Sequence, residues 1–345
     1  AQELTRRGHV VDLMTDHRVE SYGADFPART IHIVPSATPS GGNPLGMAAA
    51  GFTILRGIAR AHGALGKVRP DAMIGFGGYP TFPPFIAASL RGVPGILHEQ
   101  NAVMGRANKF LASRVAAIAA GILQTHSDAK IAAKITVTGN PVRPAVLEAA
   151  KIAYHASRNG QPFNLVVFGG SQGAQFFSKA VPAAIEVLAP ELRARLRVTQ
   201  QARAEDEAEV RAFYEKAGIP ADVSPFFGDM ADRIGRAHLV VSRSGASTVS
   251  EICVIGRPSV LVPYPYALDH DQAANAARLT KAGGAVLARQ SDLTPERLAE
   301  HIRDVADDPA FAETMASVAL SVGIPDAARL LADLVSSMPD AGHTH

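Results

Sequence analysis

Cysteine is nearly absent: Cys253 is the only one in 345 residues. One thiol cannot build a disulfide framework, and a reducing, cytoplasmic setting is expected. Among Ile252, Val254 and Ile255, Cys253 itself reads as a small buried hydrophobe. Long apolar runs are missing too. No stretch reaches about 18 purely apolar residues, so no spanning helix is expected, and no secretory leader is visible. Charge of one sign is also lacking: 34 Lys and Arg against 32 Asp and Glu leave +2. That balance argues against a protein built mainly to bind nucleic acid, though not against one local basic patch. There is no initiating Met, and residues 1–9 read as the end of a helix running into a strand. The chain is therefore expected to be N-terminally truncated.

What is present is an apolar fraction of 47% and a length suited to two domains. Apolar, β-rich runs alternate with helical patterns. Candidate strands are 10–14, 31–34, 72–75, 95–97, 115–119, 135–137, 165–168, 197–199, 223–226, 239–241, 259–262 and 285–287. Strands alternating with helices predict an α/β architecture with parallel sheets, and continuous apolar runs agree with burial on both faces. The boundary is expected at Thr138-Gly139-Asn140-Pro141-Val142-Arg143-Pro144, followed by a polar loop over 150–162. This gives a first domain over 1–142, a second over 143–324, and a C-terminal helix within 325–345 packing back on the first. The tail 341–345 reads as disordered, and its two histidines are too few to argue for a metal.

Two Gly-rich turns each follow an apolar run and precede a helical stretch: Gly75-Phe76-Gly77-Gly78-Tyr79 and Gly169-Gly170-Ser171-Gln172-Gly173. Such turns let bare N–H groups face an anion at a helix N-terminus. They would equally serve a tight βα turn. A dinucleotide fold would add Gly-x-Gly-x-x-Gly and an acidic residue closing the next strand. Here that strand ends Thr199-Gln200-Gln201, and the first carboxylate after it is Glu205. A P-loop is excluded because Ala174, not Lys, follows Gly173.

The most informative window is Leu239 to Pro263. A strand leads into Ser242-Arg243-Ser244-Gly245-Ala246-Ser247-Thr248-Val249-Ser250-Glu251, with a helix starting near Ala246 or Ser247. Its free N–H groups and the hydroxyls of Ser247 and Thr248 could seat a diphosphate. Glu251, one turn in, could accept two hydrogen bonds from a ribose diol. Plain helix capping fits the same residues. Farther on, Asp269, His270, Asp271 and Gln272 cluster at a helix start, suited either to sugar hydroxyls or to capping.

Together these residues resemble the peptidoglycan glycosyltransferases that add N-acetylglucosamine to undecaprenyl-diphosphate-muramoyl-pentapeptide. The carriers are Gly75 to Tyr79, His98-Glu99-Gln100-Asn101 with Asn108-Lys109, and Thr138 to Arg143. With them go Gly169 to Ala174, Ser242 to Ala246 with Thr248 to Glu251, and Asp271-Gln272 with Asn275-Ala276. The resemblance covers nearly the whole chain. It implies a GT-B fold, two Rossmann-like domains with parallel sheets facing a central cleft. It implies inverting transfer from UDP-N-acetylglucosamine to the C4 hydroxyl of the muramoyl sugar, with no metal or other cofactor. Another GT-B glycolipid transferase, or a binding-only nucleotide-sugar fragment, are the alternatives.

Carried over by motif, Glu251 would hold the ribose. Ser171, Ala246, Ser247 and Thr248 would contact the diphosphate, with Arg143 nearby. Phe227 matches the position whose backbone meets the uracil. Asp271 and Gln272 would reach the sugar hydroxyls. Gly77, Gly78 and Tyr79 belong to the acceptor side, and Asn101 is carried over as donor-binding, facing the sugar or acceptor. The family's Gly-Gly-Thr-Gly-Gly-His turn, which carries the histidine usually proposed for catalysis, has no counterpart here. His98 and Glu99 stand as candidate proton acceptors by chemistry alone.

A lipid acceptor requires docking on a bilayer, and the resemblance places the enzyme peripherally on the cytoplasmic face of the bacterial inner membrane. Residues 44–67 read as a helix. Met47, Ile54, Ile58 and Leu65 fall near one stripe, with Phe52, Leu55 and Ala59 beside it, while Arg56, Arg60 and Lys67 share another. That pattern fits an interfacial surface for anionic lipid, or a helix packed on its sheet with a solvated basic side.

Overall fold

The structure is a computed structural model. It describes residues 1–17, 26–38, 44–267 and 271–338, and only the backbone at 171–174 and 271. The segment 40–42, Asp269, His270 and the tail 341–345 lie outside the described residues. The chain forms two units, Ala1–Pro141 with Asp326–His345, and Val142–Pro325.

In the first unit α1 (Gln2–Arg6) leads to β1 (Leu13–Thr15) and β2 (Ile31–Ile33), which pair in parallel. Then come α2 (Pro44–Val68), β3 (Met73–Gly75), α3 (Phe82–Leu90), β4 (Gly95–Glu99), α4 (Arg106–Leu111), β5 (Ala117–Ala120), α5 (Ala129–Ala132) and β6 (Ile135–Val137). The strands β3-β4-β5-β6 form a parallel sheet in chain order. Its middle is buried throughout: Ile96, Leu97, Ile118, Ala119 and Ala120 have no exposed surface. Small residues set the packing distances. A Cβ on Gly57 would sit 2.1 Å from the Pro35 carbonyl oxygen and 3.1 Å from the Pro83 side chain. Glycine at this point is what lets α2 lie against the start of α3.

The second unit runs α6 (Pro144–Ala149), β7 (Phe163–Phe168), α7 (Gly170–Glu186), α8 (Pro190–Arg195), β8 (Leu196–Gln201), α9 (Glu207–Ala217), β9 (Ala221–Ser224), α10 (Met230–Gly235), β10 (Leu239–Ser242), α11 (Ala246–Ile255), β11 (Ser259–Leu261), α12 (Asp271–Ala282), β12 (Ala285–Leu287), α13 (Pro295–Asp307) and α14 (Pro309–Val322). Its six strands are all parallel and lie in the order β12-β11-β10-β7-β8-β9. Counted from β7, that is 3-2-1-4-5-6, the doubly wound Rossmann order. Helix starts carry their own signals: Thr294 caps α13 through the Arg297 N–H and Asp308 caps α14 through the Phe311 N–H, each followed by proline. A last helix, α15 (Ala327–Ser336), belongs to the first unit. There Leu331 packs with Ile96, Ala117 and Ala119, and Asp333 pairs with Arg7 at 2.7 Å.

All twelve sequence-predicted strands form, 135–137 and 285–287 with the predicted bounds and the other ten with shifted ends. The first starts at Leu13, not Val10, which is two-thirds exposed. The one predicted over 223–226 stops at Ser224, because Pro225 has no N–H to continue the ladder. Cys253 is buried in α11, and burial pushes its thiol up to about 12.

Candidate functional site

In a doubly wound sheet, ligands bind beyond the carboxyl ends of the strands where the strand order reverses. In the second unit that point lies between β7 and β10, neighbours in register from Leu165↔Leu239 to Phe168↔Ser242. The chain leaves β7 into Gly169-Gly170 and α7, and leaves β10 into Arg243-Ser244-Gly245 and α11. Topology alone therefore brings the second Gly-rich turn beside the Ser-Arg-Ser-Gly turn.

The α11 terminus has free donors that could seat an anion. Its N-cap is Gly245, which has no side chain to bond the first N–H groups, so those of Ala246, Ser247 and Thr248 remain without helical partners. Ala246 is buried, Ser247 exposed and Thr248 half-buried. Glu251 lies one turn on. Arg143 reaches it from just ahead of α6, Nε donating to Oε1 at 3.3 Å and Nη2 to Oε2 at 3.5 Å. Burial raises the Glu251 carboxyl above its usual range, and Arg143 opposes that rise.

Below the turn sits a cation that sequence reasoning quoted without giving it a role. Arg243 is buried and donates to the carbonyls of Val262 and Pro263, each at 3.2 Å, and to Gln290 Oε1 at 2.7 Å. The rings of Phe176, Phe177 and Tyr264 surround its guanidinium at 5.1–5.3 Å. Burial lowers its pKa to about 10, so it remains charged at neutral pH. The signal was an arginine between two serines, where a strand meets a glycine turn.

The start of α12 is tied to the same turn. Ser244 Oγ donates to the Gln272 carbonyl at 2.8 Å, Asn275 Nδ2 to the Ser244 carbonyl at 3.3 Å, and the Tyr264 N–H to Gln272 Oε1 at 2.9 Å. Gln272 therefore stands beside the Ser242–Gly245 turn. The side chains of Ser171 and Asp271 lie outside the description, but α7 and α12 place both residues in the first turn of their helices. On the other side of β7, Phe227 is buried and lies under the Arg233 guanidinium at 4.3 Å, while Phe226 is 77% exposed. Gln201 was also missed. Its Oε1 accepts from the N–H groups of Gly169 and Gly170, and its Nε2 donates to the Pro225 carbonyl.

The other expected residues gather in the first unit. Gly77 and Gly78 both have positive φ, +79° and +74°, which only glycine adopts without strain. They deliver Tyr79 to a short 3-10 turn at the head of α3. Expected as proton acceptors, His98 and Glu99 are instead turned inward, each 1% exposed at the end of β4. Glu99 accepts from the N–H groups of Asn101 and Gly105, from Asn101 Nδ2 at 3.4 Å and from Asn108 Nδ2 at 2.8 Å. Its oxygens are thus committed to folding the loop that carries Asn101. His98 Nε2 lies 3.1 Å from the Gly139 carbonyl, and burial holds its imidazole below the usual histidine range. These contacts fit holders of the loop, not a base presented to an incoming hydroxyl.

On α2, the Gly57-Ala61-Leu65 stripe is buried. Of the predicted stripe only Leu65 is fully buried, Ile54 and Ile58 are half-buried, and Met47 is exposed. Leu45, Met47, Phe52 and Leu55 expose 54–80% of their surface and are gathered in the first half of one helix, where clustering rather than exposure is the informative feature. Arg56, Arg60 and Lys67 are exposed along the same helix. No helix among the described residues is long and apolar enough to cross a membrane.

Comparison with known proteins agrees with this layout. Residues 1–120 match the glycosyltransferase family 28 N-terminal domain and residues 164–331 the glycosyltransferase family 28 C-terminal domain. The chain is 58% identical over 340 residues to the UDP-N-acetylglucosamine–N-acetylmuramyl-(pentapeptide) pyrophosphoryl-undecaprenol N-acetylglucosamine transferase of Allorhizobium ampelinum, covering 99% of this chain and 91% of that one. It is 56% identical over 344 residues to the enzyme of that name from Rhizobium etli, covering 100% and 91%. Among solved structures it resembles MurG of Acinetobacter baumannii, with TM-score 0.79, 28% identity and coverage of 98% and 93%. The UDP-GlcNAc 2-epimerase of Neisseria meningitidis, bound to UDP-GlcNAc, shares the fold at TM-score 0.67 and 12% identity, covering 98% of this chain and 94% of that one. The two Rossmann-like domains are of the GT-B class, and the chain belongs to glycosyltransferase family 28, among the UDP-N-acetylglucosamine–N-acetylmuramyl-(pentapeptide) pyrophosphoryl-undecaprenol N-acetylglucosamine transferases.

Proposed function

We propose that this chain transfers N-acetylglucosamine from UDP-N-acetylglucosamine to the C4 hydroxyl of undecaprenyl-diphosphate-muramoyl-pentapeptide, with inversion at the anomeric carbon. The acceptor oxygen attacks that carbon as its bond to the UDP oxygen breaks, and the hydroxyl proton leaves to a base. The products are UDP and the disaccharide lipid from which peptidoglycan is made. The observation that carries the donor half is the switch point of the second unit, where the uncapped α11 terminus, Glu251 and the Gly169-Gly170 turn converge.

There Glu251 takes the ribose diol. The N–H groups at Ala246, Ser247 and Thr248, together with Ser171, take the diphosphate, and the Phe227 backbone meets the uracil. Asp271 and Gln272 bind the sugar hydroxyls. As the leaving diphosphate gains charge, the positive end of α11 and Arg143 offset it. Arg243, charged and buried behind the turn, adds a fixed positive field there without needing to move. The first unit is assigned to the acceptor through Gly77, Gly78 and Tyr79, while Asn101 is assigned to the donor, with His98 and Glu99 holding the Asn101 loop in shape.

The acceptor is a lipid, and the exposed apolar half of α2 is assigned to docking. Leu45, Met47, Phe52 and Leu55 would enter the headgroup boundary, with Arg56, Arg60 and Lys67 toward anionic lipid. With it goes the assignment of the protein to the cytoplasmic face of the bacterial inner membrane as a peripheral protein. The test is an assay with labelled UDP-N-acetylglucosamine and a short-prenyl diphosphate-muramoyl-pentapeptide. Equal amounts of UDP and lipid disaccharide are expected. UDP binding without transfer would reduce the chain to a nucleotide-sugar binder.

A further inference from the structure

The carboxyl end of β8 is where dinucleotide folds carry the acid that holds a ribose. Here the residue is Gln201, and its amide faces elsewhere. Oε1 accepts from the N–H groups of Gly170 at 3.0 Å and Gly169 at 3.3 Å, while Nε2 donates to the Pro225 carbonyl at 3.0 Å. One planar amide therefore joins the start of α7 to the loop after β9. The Gly169-Gly170 turn has no side-chain cap and includes a left-handed residue, Gly170 at φ +69°. The Pro225-Phe226-Phe227 segment has left the β9 ladder; its local holds are the Ser224 hydroxyl on Phe226 and the Arg233 guanidinium over the Phe227 ring.

We infer that Gln201 is a positioning residue of the donor site, fixing the spacing between the turn that meets the diphosphate and the loop that meets the base. This rests on the assignment of the second unit to a uridine diphosphate sugar. The chemistry is specific to an amide. A carboxylate at 201 could still accept from the two glycine N–H groups. It could not donate to the Pro225 carbonyl, and it would set a negative charge beside an incoming diphosphate. Asparagine keeps both functions but is one methylene short of spanning the gap. Holding both supports in place before the nucleotide arrives lowers the ordering cost of binding.

The test uses the full chain and its Gln201→Ala and Gln201→Glu variants, titrated calorimetrically with UDP and with uridine, each also checked by thermal unfolding. Gln201→Ala is expected to weaken both UDP and uridine by about tenfold. It should raise KM for UDP-N-acetylglucosamine by a similar factor, with kcat moved less than KM. Gln201→Glu is expected to lose more affinity for UDP than for uridine, because only UDP meets the added charge. If Gln201→Ala binds UDP within twofold of the parent chain, or Gln201→Glu loses both ligands equally, Gln201 does not position the turn. Should Gln201→Ala fail to fold, the comparison of UDP with uridine in Gln201→Glu still decides. A parent chain that binds neither ligand refutes the donor assignment itself, a result distinct from either variant's failure.

Discussion

At Glu251, the proposed holder of the ribose, two demands meet. A ribose diol is best held by an ionised carboxylate, yet burial favours the protonated form. Arg143 offsets part of that cost through the pair at 3.3 Å. The folded-state pKa is raised, so burial costs stability above it, and the cost disappears as pH falls and the carboxyl protonates. UDP affinity is therefore expected to fall with acidification earlier than an ordinary carboxylate would dictate. Removing the cation raises the pKa further. In Arg143→Ala the loss of UDP affinity should move to higher pH, measured by titrating UDP across a pH series. An unshifted profile would dissociate Arg143 from Glu251. At this scale the sequence was legible where function lies in backbone and small residues. Spacing alone marked the Ser242–Thr248 turn and Glu251 as candidates, with helix capping fitting them equally, and the family resemblance gave them their proposed roles. Arg243 and Gln201 could not be given roles, because both act through carbonyls or N–H groups supplied by distant segments: Val262, Pro263, Gly169 and Pro225. For His98 and Glu99 the sequence shows proton-accepting chemistry, while their burial, each 1% exposed, comes from the fold alone.

Among the elements, α2 is divided against itself. Its Gly57-Ala61-Leu65 stripe is buried as in any packed helix, while its N-terminal half leaves Leu45, Met47, Phe52 and Leu55 in solvent. The stripes at helical spacing revealed the helix but not where burial stops, because the partner surfaces, Pro35 and Pro83, come from other elements. If the exposed half is the lipid-docking surface, Phe52→Asp with Leu55→Asp should reduce binding to vesicles rich in anionic phospholipid by about tenfold or more, since each apolar side chain withdrawn from water contributes about 1.5–3 kcal/mol. UDP binding should be unchanged. Sedimentation with vesicles reads the first and calorimetry the second. Vesicle binding equal to the parent chain's would return these residues to ordinary surface.

Across the whole molecule, the alternation of strands and helices was enough to give twelve strands and the α/β class, since parallel strands buried on both faces write themselves as continuous apolar runs. Strand order was beyond local reading, and it is the order 3-2-1-4-5-6 that juxtaposes the turns after β7 and β10. The chain returns to its first unit through α15, with Leu331 against Ile96, Ala117 and Ala119. Leu331→Ala should destabilise that unit by about 2–5 kcal/mol, visible as a lower unfolding midpoint for one transition while UDP-induced stabilisation persists. Central to all of this is a uridine-nucleotide site at the switch point of the second unit. Its most direct measurement is a calorimetric titration of UDP into the chain and into Glu251→Ala. Saturable one-to-one binding to the parent is expected, weakened about tenfold or more in the variant by loss of a charged hydrogen-bond acceptor. No binding to the parent, or equal affinity in both, would contradict it.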